Sequence, residues 1–171
     1  MASVHENVVN LLRDTASIIN PSGRFIYGRE LYSSFDYGNN SAPNSNSVDS
    51  KPIISLLPFS VTINNDPDTV YNNTSISMIF SRSADVADSA SREETILSEM
   101  ASLAENFIFL LDNASKPITY TIGNVTMQPE YQFWMGTNSG YSVTFTLNMK
   151  QDCTVPTLEA LQSELQSLLQ G

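Results

Sequence analysis

From Ser91 onward the chain reads as one strong helix followed by a run of strands, and that order limits what it can fold into. Ser91 with Glu94 three residues later has the spacing of a capping box, and Glu93 and Glu94 lie where the helix dipole favours negative charge. Ile96, Met100, Leu103, Ala104, Phe107 and Leu111 then recur at steps of three and four, which makes one apolar helix face. Pro117 is the expected stop. Beyond it, Ile118–Ile122 and Tyr141–Met149 alternate large apolar with small polar residues, the period of a half-buried antiparallel strand. Val125–Met127 and Tyr131–Met135 read as two short strands broken by Gln128 and Pro129.

The first half is more broken. Residues 3–19 carry Val4, Val8, Leu11, Leu12, Ile18 and Ile19 on one helical face, and Asn20-Pro21-Ser22-Gly23 ends it. Phe25–Tyr27 and Leu31–Tyr32 are short extended pieces. Residues 33–50 are rich in Ser and Asn and have no period, which predicts a flexible loop or an arm ordered by a partner. Ile53–Ile63 resumes as strand, with Pro52 and Pro58 marking an edge or a bulge. Asn64–Asp68 reads as a turn, and Thr74–Phe80 as the partner strand. After Cys153, Leu158, Leu161, Leu165 and Leu168 line a last helix over 156–170. The sum is a single α+β domain over 1–171. Its order is helix–strands–helix–strands–helix, with an antiparallel sheet flanked by helices.

Charge narrows the function. Eighteen acidic against eight basic residues leave a net charge of −10, the wrong sign for sequence-independent nucleic-acid binding. Only 15% of residues are charged, and a neutral polar surface suits packed assemblies and adhesins alike. Cys153 is the lone cysteine, so no internal disulfide framework exists. The N-terminus has no basic-then-apolar signal pattern, and no apolar run is long enough to span a bilayer. The sequons at Asn39, Asn72, Asn73, Asn113 and Asn124 then reflect Asn-rich composition.

Chemistry is sparse. His5 and Cys153 stand at opposite ends of the chain and make a poor nucleophile–base pair. Asp66 and Asp68 flank a proline in an oxygen-rich stretch, yet the spacing of a calcium loop is missing, and a plain turn is the simpler account. Phosphate-cradling glycine loops, CxxC and HExxH are lacking. The expectation is a non-enzymatic chain without a cofactor or metal. Tyr131, Phe133, Trp134 and Tyr141 cluster in sequence and would stack a sugar or anchor a partner if exposed, although core packing is the commoner fate of such residues.

Three features are shared with a known group. They are the Asn/Ser-rich first half, the helix ending Phe107-Ile-Phe-Leu-Leu-Asp112, and the strand Gly140-Tyr141-x-Val143-x-Phe145-x-Leu147 closing near Cys153. In these, block 92–153 resembles tail-terminator and neck (tail-completion, head–tail connector) proteins of tailed bacteriophages, of the crAss-like and Bacteroidetes-phage type. The resemblance implies a small α+β subunit that forms a ring, six- or twelve-fold, on the portal–tail axis. It also implies neck, portal and tail proteins as neighbours, and a chain made in a host cytoplasm and carried in the virion. It implies no catalytic residue. Neither sequence-specific nucleic acid nor a membrane is an expected partner. The 33–50 segment departs from compact members of that group. Phe35 and Tyr37 in it, Trp134, and Leu158, Leu161 and Leu165 are the candidate partner-binding residues. For the leucine stripe, burial on its own sheet is the competing reading. The alternative function is a carbohydrate- or surface-binding module, an adhesin or spike domain, using exposed aromatics near Trp134.

Overall fold

The computed structural model describes residues 4–28, 51–66, 69–83, 90–113, 120–132 and 138–150. Helix α1 is Val4–Ile19 and helix α2 is Ala90–Asn113. The strands are β1 (Arg24–Ile26), β2 (Ile53–Leu56), β3 (Val61–Asp66), β4 (Thr69–Ser83), β5 (Tyr120–Gln132) and β6 (Asn138–Lys150). The expected helix at 156–170 lies outside the described residues, as does the 33–50 segment. The class is a mixed α+β fold with a six-stranded sheet and two described helices.

The sheet runs β1-β2-β4-β6-β5, with β3 also on β4. It is not purely antiparallel, because β1 pairs with β2 in parallel. These two strands are joined by a long connection rather than a hairpin, and only such a connection allows a parallel pair. The remaining pairs are antiparallel.

Strands β2 and β3 lie one after the other along the same side of β4. Leu56 pairs with Met78 and Val61 with Thr74, so four residues on one strand, 57–60, face three on the other, 75–77. That one extra residue is a bulge, and Pro58 sits in it, where a missing N–H costs no ladder bond. Phe59, also in the bulge, packs against the core. The stretch Asn64–Asp66, expected as loop, is strand to its last residue, and Asp66 pairs with Thr69. Strand β4 accordingly extends beyond Thr74–Phe80 at both ends.

The two short strands expected around Gln128-Pro129 are one continuous strand, β5. Its irregularity lies earlier, between Gly123 and Thr126, where the register against β6 shifts and Asn124 takes a φ of 54°. Asn tolerates the left-handed region better than most residues, so a bulge forms there instead of a break. Thr146 Oγ1 donates to Gly123 O at 2.9 Å across the bulge. Pro129 continues the strand because, among the described residues, β5 is the last strand of the sheet and pairs only with β6.

Both helices cover one face. Val8, Leu11 and Leu12 of α1 join Ile54 and Leu56 in the core, and Phe107 of α2 meets Phe80 edge-on at 5.4 Å between ring centres. Ile54 and Phe80 are cross-strand partners, which puts the two helices on the same side. Ile76, Met78, Val143, Phe145, Leu147 and Met149 complete that buried layer. Glu93 Oε1 accepts from Ser139 Oγ at 2.7 Å, tying the start of α2 to β6. At the other end, buried Tyr120 donates to Leu111 O at 2.7 Å. Replacing Tyr120 with Phe leaves that carbonyl without the hydroxyl, and we expect a loss of about 1–2 kcal/mol by urea denaturation, with no change in secondary structure by circular dichroism.

Candidate interaction surface

The face of the sheet turned away from the helices is built from the polar half of each alternating strand. The register sets its residues in rows. Asn73, Asn148 and Thr121 form one row; Ser75, Thr146 and Gly123 the next; Ser77, Thr144 and Thr126 a third; Ile79, Ser142 and Gln128 a fourth. Asn73, Ser75, Thr121, Thr126, Gln128 and Thr144 are exposed. No Asp, Glu, Lys or Arg stands in these rows. The hydroxyls make few strong contacts among themselves: Ser77 Oγ and Thr144 Oγ1 are 3.4 Å apart, and Ser142 Oγ lies 3.5 Å from Gln128 O. The arrangement is a broad, uncharged bed of hydroxyl and amide groups. Covering it requires no stripping of water from a charge.

Charged groups lie outside these four rows. On α2, Glu94, Glu99 and Glu105 are exposed, and Arg82 reaches Glu99 at 2.6 Å. An exposed pair of that kind contributes about 0–1 kcal/mol. On the opposite flank, Arg13 stands 5.7 Å above the Phe25 ring, Arg24 opens β1, and Lys51 precedes β2. Burial raises the Asp14 carboxyl above the usual carboxylate range, and neighbouring Arg13 partly offsets the shift.

The candidate residues named from sequence fall mostly beyond what is described. Phe35, Tyr37, Trp134, Leu158, Leu161 and Leu165 all lie outside the described residues, as do Asp68 and Cys153. Of the predicted aromatic cluster, Tyr131 is 62% exposed at the end of β5, while Tyr141 is partly buried against the core. His5 Nε2 lies 2.7 Å from Tyr27 Oη and its ring stacks on Phe59 at 4.5 Å, which pins the start of α1 to the β2–β3 bulge. Among the described residues, no group of three His, Cys, Asp or Glu side chains is placed to hold a metal ion, and no helix is long and apolar enough to cross a membrane.

One polar group was missed by sequence reading. Asn72 and Thr74 alternate with Asn73 and Ser75 and therefore point into the core, where both are buried and, among the described residues, their side-chain polar atoms have no hydrogen-bond partner. The signal was present in the period of two along Asn72–Phe80, which puts Asn72 and Thr74 on the face of Ile76 and Met78. Thr74→Val keeps the shape and removes a buried hydroxyl left unpaired. We expect a gain of about 1 kcal/mol in thermal denaturation.

No family model matches the chain, and no curated protein matches it.

Proposed function

We propose that this chain is a structural virion protein, a ring-forming subunit of the neck or tail connector of a tailed bacteriophage, which joins or closes portal and tail. The observation that carries the reading is the set of uncharged hydroxyl-and-amide rows on β4, β6 and β5, on the side of the sheet away from the two described helices, with Asn73, Ser75, Thr121, Thr126, Gln128 and Thr144 exposed. A subunit carrying a net charge of −10 needs such a surface to pack against its neighbours without burying carboxylates. The resemblance of block 92–153 to tail-terminator and neck proteins supports the same reading. An acidic ring also suits a DNA passage, since like charge keeps DNA sliding instead of adhering.

In this reading the chain has no catalytic step. Its work is to present fixed surfaces, and the rigid β4–β6 pair, registered over thirteen residues, gives them a fixed geometry. Negative-stain electron microscopy of the purified chain tests the proposal. We expect annular particles with a central opening.

The exposure of Tyr131 favours a second reading, a carbohydrate- or surface-binding module. Glycan binding by a monomer, lost in Tyr131→Ala with the fold intact, would displace the ring reading.

A further inference from the structure

One cross-strand row spans the sheet on the side away from the two described helices, and its middle, Ser81 and Gly140, is buried. Arg24 pairs with Ile53, Ile53 with Ser81, Ser81 with Gly140, and Gly140 with Glu130. The row begins with a cation on β1 and ends with a carboxylate on β5, and everything between is uncharged. Strands β1 and β5 are the two ends of the strand order, and among the described residues no strand lies beyond either. Arg24 is exposed and Glu130 half-buried, and among the described residues neither is in an ion pair. Exposed Lys51 and Arg13 reinforce the positive end: Arg24 N donates to Pro52 O at 3.1 Å, beside Lys51, and Arg13 lies over Phe25.

We propose that copies of this chain associate head to tail along the sheet, the β1 edge of one copy meeting the β5 edge of the next, with Arg24 paired to Glu130. The inference rests on the ring reading above and names its contact. Two different edges of opposite charge make a heterologous contact, the kind that closes a ring by rotation. A purely backbone extension of the sheet is disfavoured, because β1 has only three residues and β5 carries a bulge and Pro129. Side chains therefore carry the contact. Duplex DNA is the other polyanion that a positive edge could take, and the excess of carboxylates over the whole chain opposes it.

The test is a charge swap read by sedimentation velocity, with circular dichroism as the check on folding. Arg24→Glu and Glu130→Arg should each raise the concentration at which the chain assembles by about tenfold or more, since each sets like charges against one another. An equimolar mixture of the two variants should restore assembly, because every contact in an alternating ring again joins opposite charges. High salt should weaken the wild-type assembly.

The inference is overturned if both single variants assemble like the wild type, or if the mixture stays apart. It is also overturned if the wild type is monomeric at its highest soluble concentration, or if Arg24→Glu abolishes DNA binding while leaving assembly unchanged. The two claims separate cleanly. A two-fold dimer that obeys the swap keeps the contact and removes the ring, and a ring indifferent to the swap keeps the ring and removes the contact.

Discussion

Phe107→Ala should cost about 3–5 kcal/mol, the range for removing a fully buried aromatic side chain from a packed core. Phe107 is fully buried on α2, and its ring meets Phe80 at 66° between planes. The contact is the bolt between helix and sheet. Phe80 is the cross-strand partner of both Ile54 and Tyr141, so the void would open under β2, β4 and β6 together. Helix α2 cannot close it by shifting, because its start is held by the Glu93–Ser139 hydrogen bond and its last turns by the Tyr120–Leu111 bond. At roughly 2–4 °C per kcal/mol for a chain of this size, the melting temperature should fall by about 10 °C or more. A fall of only a few degrees in differential scanning calorimetry would show that α2 is not the main cover of the sheet.

Gly140→Ala should be nearly as damaging for a different reason. Gly140 sits opposite Ser81 in the β4–β6 pair. A Cβ built there collides with the Phe80 carbonyl oxygen and lies 2.8 Å from Ser81 Cα. Both obstacles are backbone in the middle of the sheet, so no side chain can swing away to make room. We expect a loss of about 3 kcal/mol or somewhat more, at the upper end for overpacking. The measurement is the urea midpoint of the variant against the wild type. An unchanged midpoint would mean that β4 and β6 are further apart than described.

Much of this architecture was legible because it rests on period. The three- and four-residue recurrence from Ile96 to Leu111 identified α2, and the alternation over Tyr141–Met149 identified β6 with its correct inner face. Proline is less decisive as punctuation. Pro58 did mark a bulge, but Pro129 did not end a strand, because an edge strand can spare an N–H. Asn64–Asp66 looked like a turn from composition, yet pairing with Thr69–Tyr71 outweighed intrinsic preference. The parallel β1–β2 pair was illegible, since three residues beyond a long connection carry no signal of their direction.

The surface was legible only as composition. A low share of charged residues and many Ser, Thr and Asn residues suggested a neutral exterior. Only the register shows that Ser75, Ser77, Thr144, Thr146 and Thr126 share one face, while the exposed carboxylates of α2 are kept to the side of the helices. The row from Arg24 to Glu130 joins residues that are distant in sequence, and no reading of a single segment brings them together.

Native mass spectrometry of the purified chain tests the central claim most directly. A ring subunit that meets its neighbours through two different edges should give one closed species, a single multiple of the chain mass, with little between it and the monomer. The account predicts six or twelve copies. A monomer alone at every concentration, or an open-ended ladder of masses with no preferred size, would contradict it.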